Sequence, residues 1–515
     1  MDGSRLVPSL PRSRTALLPN LGRLRREIGP VTPALSDALA DHMGLRRGEV
    51  ADVASSYAYL DVATETVRVC TGPACDCMGA RELLAREREH GEAVEVACLG
   101  HCDRAPFALR GDDPFEPVEH TCNDGPSLGL GRVDATLADY GPFAALGATP
   151  REVLAELEAS CLRGLGGAGF PTFRKWAAVR AQAAQPVVVV NADEGEPGTI
   201  KDRYVLERRP HLLLEGLLVA MRTVGASEAW IYLREEYARA RARLLAALDE
   251  LRDAGLLDGR AVGLVVGAGS YVCGEESALL ESMEGRRPMP RLRPPFPAEH
   301  GLLGRPTLVN NVETLAHVPA IVGRGGAWFA GLGIGGEHGT RLYSLSGAVA
   351  RPGCYEAPCG ITIRELVEGL GGGATEPVGA IVPGGAASGI LPPDALDLPL
   401  TDAALRPWSA AVGSAAVQVF PERYPVLRLL AETMRFFAEE SCQKCTPCRI
   451  GNRALHTVAV GLADGLAPMT RAEVERWLDA MERTSICGLG QAAPLPFRAA
   501  MRHWPELFAP LGEAA

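Results

Sequence analysis

Apolar residues recur at helical spacing through 35–43 and 50–60, so residues 1–65 are expected to be helical. The period then shortens. A strand-like run at 66–69 leads into Cys70, a helix is expected over 79–90, and a second strand over 93–97 leads into Cys98. This is a small α/β layout with a cysteine pair at each strand end. Residues 110–147 are rich in Gly, Asp and Pro and read as linker or irregular structure. Thr149, Pro150 and Glu152 then supply an N-cap, a first-turn proline and a capping-box acid, which opens a helix. Beyond it, strands at 186–190, 229–233 and 262–266 alternate with helices at 205–224, 235–253 and 275–284. That alternation predicts a mainly parallel sheet covered by helices. Between 339 and 401 short β runs (342–350 and 380–383) with Gly and Pro turns predict a small mixed insert, and 424–515 is helical again.

The chain has 515 residues, too many for one hydrophobic core, and its length suggests about three or four domains. With 47% hydrophobic and 22% charged residues it is globular rather than disordered, collagenous or a coiled coil. No apolar stretch reaches the roughly 18 residues of a spanning helix. The Arg-dotted start lacks the apolar core of a secretory signal, so a soluble, cytoplasmic protein is expected. A net charge of −11 argues against a nucleic-acid partner. Lysine occurs only at 175, 201 and 444, each inside a motif described below; the pattern is either chance or a need for a compact ammonium where a planar guanidinium would not fit.

Fourteen cysteines in such a chain point to metal or redox chemistry rather than a disulfide framework. Cys442, Cys445 and Cys448 are spaced two residues apart, and Cys487 follows after 38 more. Three thiolates on one turn plus a remote fourth can surround a [4Fe–4S] cubane; structural zinc is the rival. Cys70 and Cys75, with Cys98 and Cys102, form two pairs on two strand-end loops, which suits a [2Fe–2S] cluster or, again, zinc. Cys77 competes with Cys75 for the second position. His101 has no second histidine in a matching place, so a Rieske-type site is not indicated, and Cys354 and Cys359 read as structural.

Gly164, Gly166 and Gly169 formally satisfy the dinucleotide fingerprint, but a helix precedes them where that fingerprint needs a strand. What survives is a loop whose exposed N–H groups can approach a phosphate or a flat ring, with Lys175 as counter-charge. Asn191, Asp193, Glu194 and Glu196 follow a predicted strand, where open α/β sheets bind ligands; their charge suits a sugar or ring rather than phosphate. Gly267 to Glu276, containing Tyr271, forms another strand-to-helix junction. Phe296, Asn310, Asn311, Glu313 and Thr314 belong to a sixth motif. Such loops converging on one face predict a cleft for a flat cofactor, with Phe170, Phe173, Tyr271 and Phe296 as aromatic residues within it.

From about 149 onward these motifs (LRGLGGAGFPT, NADEGEPGTIKDR, YVCGEES, RPTLVNNVETL and ESCQKCTPCR) resemble the flavin-bearing, 51-kDa-like NADH-oxidising subunit of respiratory complex I. Residues from about 15 to 110 resemble its 24-kDa-like, thioredoxin-like [2Fe–2S] companion, here fused into one chain. Within this group the chain looks most like the β subunit of NAD-dependent molybdenum- or tungsten-containing formate dehydrogenase, on Leu165 in the glycine loop and the run from Ser485 to Pro494.

The resemblance implies an α/β multidomain fold. Its segments are an N-terminal helical segment (1–65), a thioredoxin-like [2Fe–2S] domain (66–125), a linker (126–148), an α/β FMN and NAD domain (149–335), a β-grasp-like SLBB domain (336–422) and a helical bundle carrying [4Fe–4S] (423–515). FMN would lie across Gly164, Gly166, Gly167 and Gly169. Asn191, Asp193, Glu194, Tyr271, Gly274, Glu275 and Glu276 would surround it, with its phosphate near Asn310, Asn311, Thr314 and Lys175. NAD(H) would stack on the flavin near Phe170 and Phe296, with Glu196 towards the nucleotide and Glu194 and Glu276 acting in catalysis. Phe173 replaces the usual glycine and Arg293 a common lysine, both near the expected nucleotide mouth.

Hydride would pass between the stacked rings and single electrons through Cys442, Cys445, Cys448 and Cys487. Carboxylates near the nucleotide would favour NAD over NADP, so substituting Glu194 or Glu196 is expected to relax that preference. No pterin cradle is visible, so the molybdenum or tungsten bis-pterin centre is expected in a partner α subunit with further iron–sulfur clusters. A diaphorase subunit of an NAD-reducing hydrogenase, a complex I-like NADH dehydrogenase and a zinc-stapled scaffold without turnover are the alternatives.

Overall fold

The computed structural model describes residues 6–111 and 120–512. Its first sheet holds β1 (Val67–Cys70), β2 (Ala93–Val96) and β3 (Ala108–Leu109), in the order β2-β1-β3. β1 runs parallel to β2 and antiparallel to β3. Helix Ala80–His90 connects β1 to β2.

The second sheet contains β4 (Val187–Ala192), β5 (Glu228–Leu233), β6 (Ala261–Val266) and β7 (Thr307–Asn311), all parallel, in the order β6-β5-β4-β7. Alternate residues of β4 enter different cores. Val188 and Val190 pack with helices Pro210–Val224 and Val312–Arg324. Val187 and Val189 pack instead with Leu17, Leu21 and Leu24 of helix Leu17–Glu27, and with residues of Pro33–Met43 and Arg47–Ala54. The N-terminal helices therefore form a covering layer of this sheet, each fully buried leucine contributing about 1.5–3 kcal/mol. From β4 the chain steps to β5 and β6 on one side, then returns to place β7 on the other. The order reverses between β4 and β7, a switch point of the kind beyond whose carboxyl ends open α/β sheets bind ligands.

The third sheet comprises β8 (Thr340–Gly347), β9 (Gly353–Pro358), β10 (Val378–Val382) and β11 (Ala416–Pro421), in the order β10-β11-β8-β9 and with a core of its own. Helices Val426–Glu440, Thr446–Ala463, Arg471–Thr484 and Pro494–His503 enclose the C-terminal core. No helix among the described residues is long and apolar enough to cross a membrane.

The structure departs from the expected elements at identifiable places. The helix expected over 205–224 is two, Lys201–Arg208 and Pro210–Val224. Pro210 has no N–H to continue the ladder, and Arg209 before it leaves the helical region, at φ −128° and ψ 49°. β3, β7, β9 and β11 are not among the expected strands. Within the expected linker, residues 112–119 lie outside the described residues, but the part beyond them is firmly attached. The side chain of Asn123 exchanges hydrogen bonds of 2.7 Å with the backbone of Glu356 on β9. The Glu356 carboxylate accepts from the Ser127 and Leu128 N–H groups, both at 2.8 Å.

Candidate active site and cluster sites

The capping box on helix Pro150–Ala159 forms as its sequence dictates, with Thr149 and Glu152 bonded reciprocally. The glycine loop follows as a tight turn closed by Gly164 N–H to the Phe170 carbonyl, 2.8 Å. It lies over the switch point. A Cβ on Gly166 would stand 3.2 Å from Cβ of Asn311 at the end of β7, and Leu165 N–H donates to Thr314 Oγ1 at 2.9 Å. Gly167 and Gly169 take φ of +110° and +63°, values that favour glycine. Among the described residues, the N–H groups of Gly166, Gly167 and Ala168 have no protein acceptor, and all three residues are exposed. Successive unpaired N–H groups in an exposed turn are the donor set that suits an anion.

Opposite it, the 191–203 loop is held from within. Asn191 Nδ2 donates to the Gly274 carbonyl at 2.8 Å. Glu194 is buried and accepts from Asp202 N–H (2.8 Å), Arg203 N–H (3.2 Å) and Tyr237 Oη (2.9 Å). Burial, with Asp202 beside it, raises its pKa to about 7. Glu196 accepts from Tyr271 Oη and from Ala387 N–H, the latter at 2.7 Å, and burial raises its pKa too. Lys201 is buried, its Nζ 2.7 Å from Asp202, 3.0 Å from Glu313 and 3.3 Å from the Asn311 side-chain oxygen. Burial works against the Glu313 charge, yet Lys201 holds its pKa down at about 2.

Lys175 Nζ bonds Glu276 at 2.8 Å and the Val309 carbonyl at 3.1 Å, leaving one of its three donors for an anion. Arg293 reaches Glu275 at 3.1 Å and Glu276 at 3.3 Å, so an ionic chain joins the glycine-loop helix to the loop bearing Phe296. Phe170 and Phe296 are 52% and 51% exposed, available for stacking. Phe173 instead packs against the main core. Asn310 accepts from Trp176 Nε1 at 2.9 Å, and Asn311 caps helix Val312–Arg324, so both side chains, like Thr314, are committed to protein partners.

At the first cysteine site, the thiols of Cys70 and Cys75, Cys70 and Cys98, and Cys98 and Cys102 are paired, and all four are buried. Cys77, two residues beyond Cys75 on helix Pro73–Cys77, turns about 200° away and enters the C-terminal core. The second site gathers Cys442, Cys445 and Cys487 around Cys448. Cys448 Sγ lies 3.3 Å from both Ser441 Oγ and Asn452 Nδ2. A Cβ on Gly490 would lie 2.9 Å from that of Cys448, so the chain closes tightly over this ligand. All four thiols of the first site are buried, while at the second Cys448 and Cys487 are buried and Cys442 and Cys445 half-buried; sulfur-only donor sets of four fit iron–sulfur clusters at both sites.

The NADH-quinone oxidoreductase F subunit 2 of Rhizobium meliloti (strain 1021) is 42% identical over 375 residues, which are 70% of this chain and 88% of the relative. This chain belongs to the NADH-quinone oxidoreductase F-subunit family. The F subunit of the Rhodobacter capsulatus enzyme is also 42% identical, over 71% of this chain and 88% of its own. Family models match as Nuo51 FMN-binding domain (157–320), NADH-ubiquinone oxidoreductase-F iron-sulfur binding region (428–510), thioredoxin-like [2Fe-2S] ferredoxin (4–122) and SLBB domain (342–386). A solved NAD+-reducing [NiFe]-hydrogenase in the H2-reduced state superposes with TM-score 0.86 at 33% identity, covering 98% of this chain and 94% of the other. The protein is thus a flavin and iron–sulfur NADH oxidoreductase subunit whose cofactors are FMN, [2Fe–2S] and [4Fe–4S], with NAD(H) as substrate.

In this member of the F-subunit family, Asp193 offers a pH test. Burial raises its pKa from 3.8 to about 8, and its Oδ2 has no protein partner. The neutral acid is the form the fold favours, so its contribution is full below pH 3.8 and lost as the pH rises through 8. Asp193→Asn is expected to match the wild type near pH 4 and exceed it above pH 8 by roughly 2 kcal/mol, discounted for partial exposure. Thermal unfolding at pH 5 and pH 9 checks this; equal gains at both would remove the titration of Asp193 as the cause.

Arg234, Tyr237, Trp176 and Gly490 are not among the candidate site residues, whereas Lys201 is marked in the sequence by the scarcity of lysine. Arg234 had a signal, a charged run directly after a predicted strand. Gly490 lies inside the Ser485 to Pro494 run, which marked the segment but not this position.

Proposed function

We propose that the chain is the cytoplasmic, NAD-side electron-transfer subunit of a formate dehydrogenase, working with a molybdenum or tungsten bis-pterin α subunit that holds further iron–sulfur clusters. What supports this finer reading is the resemblance to formate dehydrogenase β subunits at two places in the sequence. One is Leu165, buried in the glycine loop with its N–H bonded to Thr314; the other is the Ser485 to Pro494 run that closes over Cys448. The same reading assigns 66–125 to the binuclear cluster, 149–335 to flavin and nucleotide, 336–422 to the β-rich insert and 423–515 to the cubane. Residues 1–65 and 126–148 are the helical segment and linker.

In this reading Gly166, Gly167 and Ala168 present N–H groups to FMN, and Lys175 turns its remaining donor to a phosphate. Phe170 and Phe296 stack with the nucleotide, which orients the nicotinamide. Asn191, Asp193, Tyr271 and Gly274 line the ring side of the cleft. Glu194 and Glu276 act in catalysis through what they hold: Glu194 fixes the loop to helix Lys201–Arg208, and Glu276 keeps Lys175 and Arg293 at the mouth. Bound FMN supplies two-electron exchange with NAD(H) and one-electron exchange with the clusters. Cys70, Cys75, Cys98 and Cys102 hold [2Fe–2S]; Cys442, Cys445, Cys448 and Cys487 hold [4Fe–4S].

Overlap with the NAD+-reducing hydrogenase chain along 98% of this sequence favours a second reading, a hydrogenase diaphorase subunit. The native complex decides. Co-purified molybdopterin with formate-dependent NAD reduction supports the first reading; nickel with H2-dependent reduction replaces it by the second.

A further inference from the structure

The geometry points to Arg234 as the residue that fastens the flavin-side loop to the binuclear-cluster loop and sets that cluster's reduction potential. Arg234 follows the last residue of β5 at the carboxyl edge of the sheet and is 5% exposed. Its Nη1 donates to the Glu194 carbonyl in the flavin-side loop, and its Nη2 donates to the Cys98 carbonyl at 2.8 Å. One guanidinium thus spans two loops that are 96 positions apart in the chain (98 and 194) and joined by no strand pairing. Tyr237 strengthens the junction. Its ring lies under the guanidinium at 5.1 Å, its hydroxyl donates to Glu194 at 2.9 Å, and it leaves no space for a Cβ on Gly100, which would stand 2.4 Å from that hydroxyl.

The charge of Arg234 is balanced by Glu236, buried and bonded to Nη2. Glu236 Oε1 also accepts from Tyr59 Oη at 3.0 Å, while its Oε2 has no protein partner. Glu236 borders a cavity of about 310 Å³ shared with Asp193 and Cys98. The ion pair is therefore a dipole with its cationic end on a cluster-ligand carbonyl. Arg203, another buried cation of this junction, is matched by Asp103 at 2.6 Å, and Arg68, also buried, lies over the Tyr59 ring at 4.8 Å. A fixed positive charge in a low-dielectric site stabilises the cluster that has gained an electron, and so raises its potential.

This inference rests on Cys70, Cys75, Cys98 and Cys102 holding [2Fe–2S]. The test is potentiometric titration of the full chain, with its clusters, followed by electron paramagnetic resonance. Arg234→Gln should disfavour reduction of the binuclear cluster about tenfold, which is 59 mV for one electron, while the cubane is unmoved. Arg234→Lys should restore most of that potential. Glu236→Gln, which removes the balancing anion and keeps the shape, should shift the midpoint the opposite way and decides the matter alone if Arg234→Gln loses its cluster. A cluster-bearing Glu236→Gln or Arg234→Gln chain with the wild-type midpoint overturns the inference, as does a shift of both in the same direction. A wild type lacking any binuclear signal would instead remove the ligand assignment.

Discussion

Replacing Lys201 with methionine is expected to release FMN and to destabilise the flavin domain by about 3–5 kcal/mol, the usual cost of removing one partner from a buried ion pair. The ammonium answers two carboxylates, Asp202 at 2.7 Å and Glu313 at 3.0 Å, neither exposed. Without it Glu313 keeps Leu342 N–H, the more distant His317 at 3.8 Å and the charge of Arg341. Asp202 also accepts from Asn311 Nδ2 at 2.6 Å, so its displacement loosens β7 from the 191–203 loop at the switch point. The pH dependence has a definite sign. Glu313 is depressed from 4.5 to about 2, so its favourable contribution is present above pH 4.5 and lost as the pH falls through 2. The methionine variant should therefore lose most relative to the wild type at neutral pH. Flavin retention through gel filtration, with hydrogen exchange over Lys201–Arg208, measures both parts. Lys201→Arg should fail as well, because a planar fork does not fit where one compact charge is shared by Asp202, Glu313 and Asn311. Full flavin content in the arginine variant would refute the steric half of the argument.

Lysine scarcity was thus an informative signal, since Lys444 too is specifically bonded, to the Pro290 carbonyl at 2.6 Å. Features written in local pattern were legible in the sequence: both cysteine sets, the capping box at Thr149, the glycine loop, and the strands β4 to β6. What depended on distant partners was not. Glu194 and Glu196 read as carboxylates facing a nucleotide. The structure turns them inward because Tyr237, Tyr271 and Ala387 bind them from 43, 75 and 191 residues away. β7 was hidden because its five residues end in two asparagines with no apolar alternation, although it creates the switch point. The choice between Cys75 and Cys77 was open in the sequence since both spacings suit a cluster; the rotation of one short helix separates their directions. Nor could periodicity show that the N-terminal helices cover the flavin-domain sheet, because an amphipathic face does not name its partner.

Gly490→Ala is expected to abolish the cubane while sparing the flavin and binuclear sites. Its φ is ordinary, so backbone strain is not the cause; space is. The added methyl would stand 2.5 Å from Ser485 Oγ and 2.9 Å from Cys448 Cβ. In an ordinary core such overpacking costs about 1–3 kcal/mol as neighbours shift. Here the neighbour is a cluster ligand. Cys448 is confined by Ser441 and Asn452, each 3.3 Å from its sulfur, and Ser485 is buried beside it. Relief must come either from moving Cys448, which takes its thiolate off the metal, or from lifting helix Gly488–Ala492, which carries Cys487 away at its start. Both routes remove a ligand. The variant should show no cubane resonance and the matching loss of iron and sulfide, yet still reduce a dye that accepts electrons from the flavin directly. Electron delivery to the partner subunit should disappear. Gly488→Ala is the control: it lies on the same short helix, next to Cys487, and its Cβ would meet nothing within 4 Å. It should assemble normally, and equal cubane loss in both variants would mean that helix flexibility, rather than the contact with Cys448, governs the site.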